Sequence, residues 1–279
     1  EISLGLVGSE MCIRDSITKV AAGFAACALA VSLSACGGAS GADEIHNSKE
    51  PVSVSQAFGA KGLWFVTDEE EAPGKDQQIE AILSFDGDGN VTHYDVADLD
   101  FGDLKDLSDE EIFNRLNEWD RKGFNEWVKN RLHELDVQIE DNEAWDPANP
   151  VQAENKSARI AGLKETRGQI EALEYQEPKA VPFKLSIETD DSGNNTAEET
   201  LSYTIQVPVY YEFDSPYDEN ILWADEEQVY TFTSMGTDSP MVYEKYYNGY
   251  YEAGLWTQVG EDFSVFTLDT PDTEGIEID

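Results

Sequence analysis

Between Ser108 and Leu173, apolar residues recur every three or four positions. On both sides of that block they alternate, or run together for only four to six residues. A chain with its helical periodicity confined to one internal stretch cannot build the alternating β–α–β units of a parallel sheet, so it must segregate helices from strands. The block opens on LSDEEIFNRL, in which Ser108 and Glu111 have the spacing of a capping box. Ile112, Leu116, Trp119, Trp127, Val128, Leu132, Leu135 and Ile139 then mark one long helix, or two broken near Gly123. After Pro147 and Pro150 a second stripe runs through Ala153, Ile160, Leu163, Ile170 and Leu173. A short connection between two apolar stripes predicts an antiparallel helical hairpin over about 108–175. Its charge-rich outer faces suit a projecting arm, and Trp119, Phe124 and Trp127 either dock it on the sheet or meet a partner.

Before the block, LWFVTD (63–68) predicts a strand, and IEAILSFDGDGNVTHYDV (79–96) a β-hairpin turning at DGDGN. After it, FKLSIETD, TLSYTIQVPVYYEF, QVYTFTSM, MVYEKYYNGYY, LWTQVG and FSVFTLDT each predict strand. Eight or nine strands follow. The expected fold is α+β: an antiparallel β-sheet, sandwich or small open barrel with the helical hairpin inserted between the third and fourth strands. The folded domain is expected over 56–279.

The N-terminal region is of another kind. Lys19 and the fourteen-residue apolar run Val20–Leu33 have the form of a secretory signal, too short for a membrane-spanning helix, which needs roughly 20 residues. Leu33, Ser34, Ala35 and Cys36 close the run, and residues 17–38 resemble the lipobox signal of bacterial lipoproteins. The resemblance implies lipidation of Cys36, cleavage before it and removal of 17–35. The mature protein would be held by its acyl chains on the extracytoplasmic face of a membrane. Ahead of this signal, Leu6–Asp15 back-translates to CTC GTG GGC TCG GAG ATG TGT ATA AGA GAC, which resembles a transposase-library sequencing adapter. Residues 1–16 are therefore expected to be translated adapter joined to the gene, with the true start upstream. Residues 36–55, small, polar and unpatterned, predict the lipidated Cys and a flexible tether with a reach of about 24 Å. His46 falls within it.

The chain carries a net charge of −40. That charge disfavours nucleic acid as a partner, since binding there rests on neutralising phosphates. It also repels anionic headgroups. Six Trp, twelve Tyr and twelve Phe still supply a real core. With Cys12 in the adapter and Cys27 in the signal, only Cys36 remains, and lipidation would consume its thiol. Thiol catalysis and zinc–thiolate sites are then excluded.

Candidate chemistry is thin. Asp86, Asp88 and Asn90, and again Asp190, Ser192 and Asn194, have the start of a calcium-loop spacing. The required glycine and closing glutamate are missing, and turns explain both. HELDV at His133 is not a zinc-hydrolase motif. His93 and Asp95 share a strand face, as a base with a partner or half a metal site. No cofactor or metal site is expected. The aromatic cluster Tyr210, Tyr211, Tyr243, Tyr246, Tyr247, Tyr250, Tyr251 and Trp256 reads either as a cross-strand ladder or as a binding face for a surface protein or cell-wall glycan. The functional expectation is a membrane-anchored binding or interaction module. The alternatives are a carboxylate-based cell-envelope hydrolase, then a transport substrate-binding lipoprotein.

Overall fold

A computed structural model describes residues 41–68, 72–210, 221–233 and 239–278. In chain order the elements begin with α1 (Gly41–His46), β1 (Val52–Ser53), α2 (Val54–Gly59), β2 (Gly62–Val66), β3 (Ala81–Phe85) and β4 (Asn90–Asp95). The helical block holds α3 (Asp109–Phe113), α4 (Leu116–Ala144) and α5 (Pro150–Glu171). Then follow β5 (Val181–Pro182), β6 (Lys184–Thr189), β7 (Thr196–Tyr210), β8 (Ile221–Phe232), β9 (Met241–Val242), β10 (Lys245–Tyr250), β11 (Leu255–Val259), β12 (Phe266–Thr267) and β13 (Glu277–Ile278). Eight of these strands have five residues or more, and the other five are two-residue pairings. Among the described residues the fold is α+β with mainly antiparallel sheets, the β1–β12 and β13–β6 pairs being parallel, and no closed barrel forms.

The larger sheet has seven strands in the order β5-β4-β3-β2-β11-β10-β9, and every neighbouring pair is antiparallel. It is covered on both faces. Along β2, Leu63 and Phe65 enter one core while Trp64 and Val66 enter the other. That is why this strand reads as a continuous apolar run. The first core lies between this sheet and a smaller one of order β13-β6-β7-β8, which contributes Leu201, Tyr203 and Phe232. Phe58 of α2 lies in that core beside Trp64 and Phe85, at ring-centroid distances of 4.8 Å to each. The second core is capped by Leu99, Phe101 and Leu104, by Ile112 of α3 and by Leu116 of α4.

The helical hairpin forms as its spacing predicts. The Ser108 hydroxyl accepts the Glu111 N–H at 3.3 Å, and the Glu111 carboxylate accepts the Ser108 N–H at 2.9 Å. The break falls at Asn114–Arg115, and α4 runs unbroken through Gly123. A Cβ at Gly123 would stand 2.8 Å from the Asp95 carbonyl, so glycine there lets α4 lie against β4. Asn149 caps α5 by accepting the Gln152 N–H at 2.9 Å, with Pro150 in the first turn. Trp119 packs on the second core and Phe124 stacks against Trp223 of β8, so the base of the hairpin is docked. Further out, Leu135, Ile139, Leu163 and Ile170 form a third, small core between α4 and α5 alone.

The tether expected over 36–55 is corrected from Gly41 onward. Val52 and Val54 are core residues, β1 pairs in parallel with β12, and His46 is buried where its ring meets Gly62. The segment has no internal periodicity because its partners lie more than two hundred residues away: Gly260 N–H donates to the His46 carbonyl and Val52 N–H to the Val265 carbonyl.

Candidate functional site

β4 carries His93 and Asp95 on one face, as the period of a strand requires. His93 Nε2 meets Asp95 Oδ1 at 3.0 Å, and its Nδ1 meets the Tyr203 hydroxyl at 2.8 Å. The Tyr203 hydroxyl in turn lies 3.5 Å from that of Tyr230. A line Asp95–His93–Tyr203–Tyr230 thus crosses from β4 to β7 and β8, between the two sheets. Asp95 is exposed, His93 and Tyr203 are buried and Tyr230 is half-buried. Burial pushes the Tyr203 hydroxyl well up from its ordinary range and the Tyr230 hydroxyl up to about 12. Both phenols therefore stay protonated near neutrality.

The base of the hairpin joins this line through Asp120. Its Oδ1 accepts the Asp95 N–H at 2.9 Å, and its Oδ2 accepts the Tyr175 hydroxyl at 2.7 Å. Burial, helped by the nearby Asp95 charge, raises the Asp120 carboxyl to about 6 against the pull of those two bonds. The Arg121 guanidinium covers the Tyr175 ring at 4.5 Å and reaches Glu177 at 3.8 Å. Beside it, Phe124 lies edge-on to Tyr175 and nearly parallel to Trp223, with centroids 5.7 and 6.1 Å away. Four elements, β4, α4, β7 and β8, and the segment after α5 thus converge on one network of titratable groups.

Chemically, the line resembles a base oriented by a carboxylate, with Nδ1 either accepting from Tyr203 or, in the doubly protonated ring, donating to it. The three contacts run from exposed Asp95 to half-buried Tyr230. The network also ties both sheets and the hairpin together. Both Asp120 oxygens are engaged in these bonds, so that carboxyl acts first as a positioning group.

The described members of the aromatic cluster do not form one face, and of the two readings the binding face is corrected. β10 runs through the interior of a sheet covered on both sides, so successive residues enter opposite cores. Tyr250 is fully buried in the first core, with Tyr246 half-buried against it, while Tyr247 and Trp256 are buried in the second. Among the described members Tyr243 stands out, 48% exposed at the two-residue turn between β9 and β10. Tyr243 and Glu244 there have φ of 47° and 66°, a left-handed pair that usually calls for Asn or Gly. Tyr243 borders a shallow depression of about 300 Å³ with Pro73, Lys75 and Met241. The side chain of Tyr210, all of Tyr211, and Leu33, Ser34, Ala35 and Cys36 lie outside the described residues.

Both calcium-like spacings close as turns. Asp86 accepts from the N–H groups of Asp88 and Asn90 and from the Asn90 side chain, at 2.7–3.1 Å. Asp190 accepts from Ser192 and Asn195, at 2.5–3.0 Å. Among the described residues no cluster of three or more potential metal ligands occurs, and no helix is long and apolar enough to cross a membrane.

Sequence reasoning found the His93–Asp95 pair but not Tyr203, Tyr230, Tyr175 or Asp120. One signal existed for Asp120: it follows Leu116 by four residues and precedes Gly123 by three, on the buried stripe of α4. No protein-family model, curated protein or solved structure matches the chain.

Proposed function

We propose that the protein is a lipoprotein anchored through Cys36 on the extracytoplasmic face of a membrane, where its α+β domain binds another surface protein through the helical arm. The anchor rests on Leu33-Ser34-Ala35-Cys36 closing an apolar run. The observation that carries the binding role is the tip of the arm. Lys156 Nζ donates to the Glu143 and Trp145 carbonyls at 2.8 and 2.6 Å, which fixes the turn from α4 to α5. On that fixed turn Trp145 is 44% exposed and Val151 66%. A large aromatic held rigid at a tip is the kind of group that anchors an interface. Cross-linking on intact cells, comparing the wild type with Cys36→Ala and Trp145→Ala, tests both parts. One partner captured by the wild type and lost in each variant is the expected result. Equal capture by Trp145→Ala removes the arm from the reading, and equal membrane retention of Cys36→Ala removes the anchor.

A carboxylate-based envelope hydrolase is the second reading. It is favoured by one observation, an acid raised to about 6, Asp120, beside the exposed carboxylate of Asp95. Glycan release that disappears in Asp120→Asn while folding is kept would move the assignment there. The transport reading gains nothing from this fold, whose helices are segregated in one insertion.

A further inference from the structure

A second group of titratable side chains lies in the first core, away from the His93 line. Glu199 of β7 is fully buried. One carboxyl oxygen, Oε2, accepts the Asp269 N–H at 2.9 Å, and the other, Oε1, has no hydrogen-bond partner among the described residues. Asp269, also buried, accepts the Ser55 N–H at 2.6 Å and the Ser55 hydroxyl at 2.7 Å with its carboxylate. Its carbonyl accepts the Thr196 hydroxyl at 2.5 Å. Three parts of the chain meet here: the start of α2, the start of β7 and the stretch after β12.

Among the described residues, the surroundings of Glu199 supply no positive charge. Across the ladder stand Ile187 of β6 and Phe232 of β8, both apolar. β10 offers the Tyr250 hydroxyl, itself buried without a partner, and α2 offers Ser55. The one charged neighbour acting on Glu199 is Asp269, and Glu188 and Glu198 on the opposite face of the ladder are acids too. A buried carboxylate facing another without a cation is costly, whereas a protonated carboxyl there is not.

We propose that Glu199 and Asp269 form a proton-held latch, which fastens the N-terminal segment 44–59 and the C-terminal segment to the sheets while Glu199 is protonated and loosens them when it ionises. The same N-terminal segment is clasped along its length by the C-terminal one, through Lys49–Asp262 at 2.8 Å, the β1–β12 pair and the Ser264 N–H on the Ser48 carbonyl. Loosening at Asp269 therefore acts on both ends together. Burial, opposed by the Asp269 N–H and supported by the Asp269 carboxylate, raises the Glu199 carboxyl to about 8. Because the folded value lies above the unfolded one, the folded state binds the extra proton. This contribution is complete below the unfolded carboxyl range and is lost as pH rises through about 8.

Hydrogen exchange on the full chain in detergent, followed by mass spectrometry and corrected for intrinsic pH dependence, tests the latch. Between pH 7 and 9, protection of 44–59 and 262–278 is expected to fall about tenfold, while that of β3 and β4 changes less. Glu199→Gln is neutral at every pH and should hold the two segments flat across that range. Should that variant fold poorly, Asp269→Asn removes the neighbouring charge and is expected to shrink the loss. A wild type with no selective loss at these segments, or variants that reproduce the wild-type profile, would overturn the latch.

Discussion

The seven-stranded sheet and the helical hairpin solve the same problem by different means. The sheet buries large side chains on both faces, Trp64, Phe85 and Tyr250 on one and Phe101, Tyr247 and Trp256 on the other. The outer hairpin buries four aliphatic residues and surrounds them with exposed ion pairs such as Lys164–Glu143 and Lys129–Glu126. Exposed pairs contribute about 0–1 kcal/mol each, so they do not replace apolar burial. The sheet should therefore be the last part to open, and the arm a weaker unit joined to it at Asp120 and Gly123.

Breaking either core measures the contrast. Trp64→Ala empties a site that touches Phe58, Tyr250 and Phe266. It should cost about 3–5 kcal/mol and shift the global denaturant midpoint, with tertiary and secondary signals moving together. Leu163→Ala should cost about 2–5 kcal/mol within the arm. There, helix protection should be lost while the β3–β4 amides stay protected. A single transition shifted equally for both variants would show one cooperative unit and end the distinction.

The smallest effect sharpens the joint between the two regions. Tyr175→Phe removes the hydroxyl that Asp120 accepts, a bond worth about 1.5–3 kcal/mol to an ionised carboxylate and less to a neutral one. Asp120 ionises around 6, so the cost should grow as pH rises from 5 to 8. A cost independent of pH would mean that the bond does not sense the charge.

Legibility in the sequence followed how local the determining interactions are. The Ser108–Glu111 box, the Pro150 helix start and the DGDGN turn are closed within five residues, and all were readable. Of one long helix or two broken near Gly123, the helix is unbroken at Gly123 and the break lies at Asn114–Arg115, because that glycine answers to β4 and not to its own helix. Residues 41–55 carry too little apolar pattern to announce burial, since their partners arrive from the far end of the chain. The tyrosine-rich strand misled for a related reason. Imperfect alternation in VYEKYYNGYY suggested a solvated face, but β10 has apolar layers on both sides, contributed by residues distant in sequence. Asp95, His93 and Tyr203 show both cases: the first two are neighbours on a strand, while the third lies 110 positions from His93.

The packing of residues 44–59 onto the domain bears on the mechanics of the anchor proposed at Cys36. Five peptide units separate Cys36 from Gly41 and span at most about 18 Å, little more than two screening lengths at physiological salt. Were Cys36 lipidated as proposed, a body so acidic at so short a chain distance would be repelled by an anionic leaflet. It would stand at nearly constant height over an anionic leaflet, like a tethered float in a current, with its rotation restricted as well. Paying out residues 44–59 would lengthen the line several-fold. The attachment would then set height as well as location.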